Sequence, residues 1–131
     1  MAQFMRKFEI QTFALMRIVV GFLFLCHGSQ KLLNFLAVGY QSPGAFVTYV
    51  GGAIELIGGA LVMLGLFTRW AAFICSGEMA VAYWMVHGTH ALLPIQNKGE
   101  LAVLYCFAFL YISARGAGGW GIDNLRKGGE S

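Results

Sequence analysis

The chain has 131 residues, of which 58% are hydrophobic and only 11% are charged. Because soluble domains carry about 25% charged residues, this composition excludes an ordinary water-soluble fold and indicates that the lipid bilayer is the solvent. The net charge of +3 is small and lies near the ends of apolar runs, which excludes a nucleic-acid-binding surface. The length allows one domain, residues 1–131.

Four apolar segments are long enough to cross a bilayer as helices, which takes about 20 residues each. They cover about residues 12–36, 43–66, 69–86 and 98–114. The sequence therefore predicts an all-α fold, an integral membrane four-helix transmembrane bundle whose chain crosses the membrane several times.

Residues that favour helix ends mark two of the boundaries. Thr68 stands just before the third segment and is predicted to cap it. Asn97 stands before the fourth segment, and Glu100 follows three residues later, as in a capping box. Gly116 and Gly118 are predicted to end the fourth helix.

The distribution of lysine and arginine predicts the orientation, since these residues collect on the cytoplasmic side of a membrane. The outer side would hold only Lys31 and Lys98. We therefore expect an N-in, C-in protein of the inner (plasma) membrane of the cell. The basic residues then placed on the cytoplasmic side are Arg6, Lys7, Arg69, Arg115, Arg126 and Lys127.

Glycines are concentrated in the second segment, at Gly51, Gly52, Gly58 and Gly59. Glycine weakens an isolated helix, but small residues at these spacings let a neighbouring helix approach closely. We therefore predict a tight helix–helix seam along this segment.

Ionisable residues inside the apolar segments are the strongest pointer to function. A charge at the centre of a bilayer costs about 3 kcal/mol, so such side chains are expected to face the interior of the bundle and find partners. A helix rises about 1.5 Å per residue, and counting from the inner face places most of them toward the outer end. These residues are Arg17, His27, Lys31, Glu55, Glu78, His87 and Glu100.

The candidate catalytic residues are Glu55, His87 and His27, which fall at similar depth although they are far apart in sequence. Glu78 is nine residues from His87 and hence on the opposite face of the same helix, so we assign Glu78 to packing or to a partner-facing role. The candidate ligand-binding or electrostatic residues are Arg17, Lys31, Glu100 and Asn97.

Each candidate also has a plainer role that the sequence leaves open. Arg17 and Lys31 can extend toward the membrane interfaces, and Glu100 can serve only as a capping carboxylate. His27 and His87 can be neutral and hydrogen-bonded between helices. No single one of these residues predicts a site. Because several of them lie at similar depth in the membrane, together they predict a polar pocket in the outer half of the bundle.

Three short motifs carry a family resemblance that extends from Arg17 to Leu125. They are E-x-x-G-G at residues 55–59, G-x-x-T-R at residues 65–69 and G-x-G-x-x-x-x-D at residues 116–123. In their order and spacing the sequence resembles the DoxX family of small four-helix membrane proteins. The resemblance implies a role of the kind often attached to that family, as a quinol oxidase subunit or an oxidoreductase.

A quinone-linked component of a redox system is the first functional hypothesis, because a quinone ring needs an apolar slot beside groups that handle protons. A non-enzymatic subunit or scaffold is the alternative, and a pathway for protons or small solutes is a second one. Whether the chain is itself an enzyme stays open.

The sequence identifies no cofactor. A quinone would fit the expected pocket, whereas a haem between His27 and His87 is not expected, and no local spacing of residues supports a metal site. The expected partners are the lipid bilayer and a membrane or soluble redox protein, with a second copy of the chain left open and no nucleic acid.

Overall fold

The computed structural model describes residues 2–33, 44–87, 92–97 and 99–125, and within these ranges the chain is all-helical and contains no strand. The predicted all-α class is confirmed. Helix α1 is Glu9–Leu32, α2 is Gly52–Leu64, α3 is Thr68–Ala82, α4 is the short Pro94–Asn97 and α5 is Glu100–Arg115. Four further turns of helix adjoin them: 3-10 turns at Ala2–Phe8 and Ile122–Leu125, and π-helical turns at Val47–Gly51 and Tyr83–His87.

Two helical stretches are long and apolar enough to cross a membrane, judged by length and composition. They are Gln3–Leu32, which contains α1, and Val47–Leu64, which contains α2. The third and fourth predicted spans fall on α3 and α5, and their passage through a membrane stays a prediction. Predicted span ends at residues 36, 43 and 98 lie outside the described residues.

Glycines bring α1 and α2 into backbone contact. A methyl group on Gly21 would lie 2.5 Å from the backbone nitrogen of Met63, and one on Gly59 would lie 2.6 Å from that of Leu25. A methyl group on Gly28 would likewise overlap the backbone of Leu56. The predicted seam along α2 is confirmed, and α1 contributes its own glycines to it.

Helix α3 packs mainly on α5 and secondarily on α2. The contact with α2 is close because Gly58 faces Cys75, whose sulfur would lie 2.5 Å from a methyl group at position 58. On the other side of α3, the hydroxyl of Ser76 donates a hydrogen bond of 2.7 Å to the carbonyl oxygen of Cys106 in α5. The hydroxyl of Ser76 is thus satisfied by a backbone group of the neighbouring helix.

A C-terminal clamp closes one end of the bundle. We use this name for Arg17, Thr68, Asp123 and the backbone of residues 116–121. The buried guanidinium of Arg17 donates hydrogen bonds to the carbonyl oxygens of Ala117, Gly119 and Trp120, the last two at 3.0 and 3.3 Å. A charged side chain in the first helix therefore holds the segment that follows the last long helix.

Asp123 caps α3, which corrects the prediction that Thr68 caps this helix with its own side chain. The N-cap position is occupied by Phe67, which has a left-handed backbone with φ of 50°. The Asp123 carboxylate accepts hydrogen bonds from the backbone nitrogens of Phe67 and Thr68, at 2.9 and 3.0 Å, and from the Thr68 hydroxyl, at 2.7 Å. A carboxylate at a helix N-terminus is favourable because the first N–H groups there have no partner within the helix.

Candidate functional site

An ion pair joins α1 to α2 at the end of the bundle opposite to the C-terminal clamp. Lys31 lies in the last turn of α1 and Glu55 in the first turn of α2. The Lys31 ammonium donates a hydrogen bond of 2.5 Å to Glu55 Oε2, with the two side chains 12% and 1% exposed. The buried Glu55 carboxylate is thus paired with a cation. Such pairing is expected because an isolated charge in an apolar interior is costly.

Glu78 of α3 completes this group, which we call the carboxyl cluster: Lys31, Glu55 and Glu78. A methyl group on Gly51 would lie 3.3 Å from Glu78 Oε2 and 3.6 Å from Glu55 Oε2, so the two carboxyl groups lie beside each other and interact electrostatically. The predicted packing or partner-facing role of Glu78 stays a prediction, but the structure places its carboxyl group beside that of Glu55, which the sequence analysis did not anticipate. The helical period placed it opposite His87, but it did not show which face of α3 packs on α2.

Two oxygens of the carboxyl cluster are left without hydrogen bonds. Among the described residues, Glu55 Oε1 and Glu78 Oε1 are buried and have no hydrogen-bond partner. Buried polar atoms are nearly always paired in native proteins. The two free oxygens therefore indicate a place where a further donor is accommodated.

An apolar groove runs along the outside of α2 and α3 and reaches the carboxyl cluster. This α2–α3 groove encloses about 280 Å³, and Glu78 and Gly51 are part of its wall. A carboxyl group is therefore presented to an otherwise hydrophobic slot. Its apolar lining includes Phe46, Val50, Ile54, Ile74, Val81 and Met85.

His27 lies on the same side of α1 as Lys31, one helical turn earlier, and is half-buried. Its ring packs edge-on against Tyr105 of α5, with ring centroids 5.8 Å apart and an interplanar angle of 89°. Both His27 and Tyr105 are close enough to Glu55 to interact with it electrostatically. The structure thus brings together His27, Lys31 and Glu55, three of the predicted residues.

Tyr105 and Glu78 lie near this site, but the sequence analysis selected neither of them as a candidate. Tyr105 is buried and also packs on Phe24 and Phe109. A tyrosine in an apolar helix is an ordinary core residue, so the sequence carries no signal for its position. Glu78 did carry one, because a carboxyl group inside an apolar helix needs a partner.

The other predicted residues lie elsewhere or are only partly described. Arg17 belongs to the C-terminal clamp. Glu100 is exposed at the first position of α5, and Gly99 occupies the N-cap position, so the prediction that Asn97 caps this helix is wrong. His87 ends the Tyr83–His87 turn and Asn97 ends α4, but the side chains of both lie outside what the structure describes.

No group of three histidine, cysteine, aspartate or glutamate side chains placed to hold a metal ion occurs within residues 2–33, 44–87, 92–97 and 99–125. The arrangement that is present suits proton transfer instead. Two neighbouring carboxyl groups beside an ammonium group can hold and exchange a proton.

Comparison with known proteins gives the family. The sequence pattern of the DoxX family matches residues 12–88. A Haemophilus influenzae protein described as "Uncharacterized protein" is 43% identical over 126 residues, which cover 92% of this chain and 94% of that protein. A Bacillus subtilis protein described as "Putative oxidoreductase CatD" is 42% identical over 71 residues, which cover 49% of this chain and 50% of that protein. No solved structure matches. The chain belongs to the DoxX family, whose members are associated with membranes.

Proposed function

We propose that this protein is a membrane-embedded component of a redox system, and that it binds a quinone in the α2–α3 groove with its ring against the carboxyl cluster. The observation that carries the proposal is the presence of Glu78 in the wall of an apolar groove. Family membership and similarity to a protein named as an oxidoreductase are consistent with a redox-associated role in the membrane.

The proposal includes a four-helix transmembrane bundle in the plasma membrane, with both termini inside. Large apolar side chains are exposed on every long helix, for example Phe22, Ile57, Phe73 and Leu104. Soluble proteins rarely expose contiguous apolar patches larger than a few hundred Å², and lipid would cover these side chains. In this orientation the carboxyl cluster lies in the outer half of the membrane and the C-terminal clamp at the cytoplasmic face.

The α2–α3 groove suits a quinone in shape and chemistry. Small-molecule sites commonly enclose about 300–1,000 Å³ and are mostly apolar with a few placed polar groups. A groove of about 280 Å³ accommodates a substituted ring, while its open side lets an apolar tail extend into lipid. Glu78 would contact a ring oxygen, and Phe46 and Ile54 would contact the ring itself.

The proposed redox step accounts for every proton and electron that a quinol releases. Oxidation of one quinol to a quinone breaks two O–H bonds and releases two protons and two electrons. The ionised carboxylate of the cluster accepts one proton, and water at the Lys31 end, where Lys31 is 12% exposed, accepts the second. The electrons pass to the redox group of a partner oxidoreductase, and quinone reduction is the same step reversed.

The scaffold alternative would need a docking surface, and the glycines do not supply one. Gly21, Gly28 and Gly59 are used in the contact between α1 and α2, and Gly58 is used in the contact with Cys75. A partner or a second copy would have to bind a different face of the bundle. This is why the geometry favours a ligand site over a glycine-mediated assembly.

Photolabelling with an azidoquinone tests the proposal on the purified chain in lipid nanodiscs. We expect labelled peptides from α2 and α3, and a loss of labelling of about tenfold, equivalent to 1.4 kcal/mol, when Val81→Trp fills the groove. Leu104→Trp is the matched control, because Leu104 is exposed on α5 and does not line the groove. Equal labelling of the two variants, or no competition by unlabelled quinone, would overturn the proposal.

A further inference from the structure

We propose that Glu55 and Glu78 share a single proton, and that the positive charge of Lys31 is the reason why the pair holds one proton rather than two. A ligand in the α2–α3 groove exchanges this proton through the opening that Gly51 leaves. The sharing of the proton stands on the carboxyl cluster alone. Its exchange with a ligand rests on the quinone site proposed above.

The charges of the carboxyl cluster require one proton. Two ionised carboxylates that lie beside each other repel, whereas a proton on one of them lets the two groups form a hydrogen bond. The Lys31 ammonium contacts Glu55 Oε2 at 2.5 Å, which places its positive charge beside one of the two carboxyl groups. The state with Lys31 charged, Glu55 ionised and Glu78 protonated is neutral overall, as an apolar environment favours.

Other titratable groups surround the pair but do not replace Lys31. His27 of α1 and Tyr105 of α5 interact electrostatically with Glu55, and Cys75 of α3 interacts with both carboxyl groups. Tyrosine and cysteine are neutral at pH 7 when unperturbed. His27 can add positive charge, but Lys31 is the cation in direct contact with a carboxylate.

Gly51 leaves the carboxyl cluster accessible from the groove. A methyl group at this position would lie 3.3 Å from Glu78 Oε2, 3.6 Å from Glu55 Oε2 and 3.9 Å from Lys31 Nζ. All three polar groups therefore surround the space that a side chain at position 51 would occupy. Gly51 also lines the groove, so the polar end of a bound ligand reaches the cluster at this point.

The unpaired oxygens are an independent indication of a ligand. Glu55 is 1% exposed, and its Oε1 lacks a partner among the described residues, as does Glu78 Oε1. A ligand hydroxyl would donate a hydrogen bond to one of these oxygens, and along that bond a proton can move. A ligand without a hydrogen-bond donor would leave both oxygens unpaired, which gives the site a preference for a hydroxyl-bearing head on an apolar body.

Infrared spectroscopy of the full chain in lipid nanodiscs counts the shared proton. At pH 7 exposed glutamates are ionised, so the carbonyl stretch of a protonated carboxylic acid should report one group per chain. We expect E78Q and E55Q each to abolish this band, because the remaining carboxylate pairs with Lys31. The exposed E100Q is the matched control and should leave the band unchanged.

Substitution of Lys31 tests whether its positive charge limits the two carboxyl groups to one proton. In K31M neither carboxyl group has a cation in contact, so both are expected to be protonated and the band should rise about twofold. In K31R the positive charge is kept and the band should stay at one group per chain. A band that is missing in the wild type, or that survives both E55Q and E78Q, would overturn the shared proton.

Substitution of Gly51 tests the opening separately. G51A should weaken azidoquinone labelling by about tenfold while leaving the infrared band in place. G77A is the matched control, because Gly77 also lines the groove but a methyl group there would contact none of the described residues within 4 Å. Equal labelling of G51A and G77A would overturn the role of Gly51. Failure of the wild type to be labelled at all would instead overturn the quinone site, and the infrared result would still decide the shared proton.

Discussion

The C-terminal clamp and the carboxyl cluster both place charged side chains inside the bundle, but they complete their hydrogen bonds differently. Asp123 accepts three hydrogen bonds from the start of α3, and Arg17 donates to three backbone carbonyls. In the carboxyl cluster the contacts join side chain to side chain, and Glu55 Oε1 and Glu78 Oε1 stay unpaired among the described residues.

This difference separates a structural role from a functional one. Backbone groups at helix ends are fixed in number and position, so a side chain that satisfies them contributes to folding. Side chains that bind one another around free oxygens can rearrange when a ligand or a proton arrives. Within the part of the chain that the structure describes, Arg17 Nε also lacks a partner, but the rest of its guanidinium is held by the backbone, which leaves it little freedom to respond.

The largest effect on stability is expected at the C-terminal clamp. Asp123→Ala should lower the free energy of unfolding by about 3 kcal/mol, because three donors lose their acceptor and the buried Arg17 loses its electrostatic attraction to Asp123. Chemical denaturation in mixed micelles measures it, with Asp123→Asn as the control that keeps one acceptor oxygen. A loss below about 1 kcal/mol would remove the distinction between the two regions.

The glycine seam between the two regions should show the next largest effect. Gly28→Ala is expected to destabilise the bundle by about 2 kcal/mol, because the added methyl group overlaps the backbone of Leu56 and forces α1 and α2 apart. Gly77→Ala is the matched control and should change stability by less than about 1 kcal/mol. Similar values for the two variants would show that the helices do not approach as closely as described.

Substitutions in the carboxyl cluster should impair ligand binding while hardly changing the stability of the fold. Glu78→Gln is expected to change the free energy of unfolding by less than about 1 kcal/mol, because the glutamine amide can donate a hydrogen bond to Glu55 as a protonated Glu78 does, and the pair of Lys31 and Glu55 stays intact. Azidoquinone labelling should fall at the same time. A variant that unfolds as readily as Asp123→Ala would place Glu78 among the structural residues.

The smallest effect is expected for an ion pair on the surface. Arg115 Nη1 and Glu9 Oε1 are 3.2 Å apart, with side chains 27% and 66% exposed. Glu9→Gln should therefore lower stability by less than about 0.5 kcal/mol, and added salt should remove even that difference. A larger loss that persists in high salt would show that exposure alone does not separate weak ion pairs from strong ones in this protein.

Much of the architecture followed from local features of the sequence. Apolar runs predicted the helices, because a backbone in lipid must satisfy its own hydrogen bonds. The four-residue spacing of His27 and Lys31 placed them on one side of α1. The motifs around Glu55, Thr68 and Asp123 were sufficient for the family.

The pairing of groups on different helices depended on tertiary structure. Thr68 and Asp123 are far apart in sequence, and no local pattern shows that the second caps the helix begun by the first. Glu78 meets Glu55 because Gly58 lets α3 approach α2 at Cys75, which fixes the rotation of α3 about its axis. The helical period decides which residues of one helix share a face, but only packing between helices decides what that face meets.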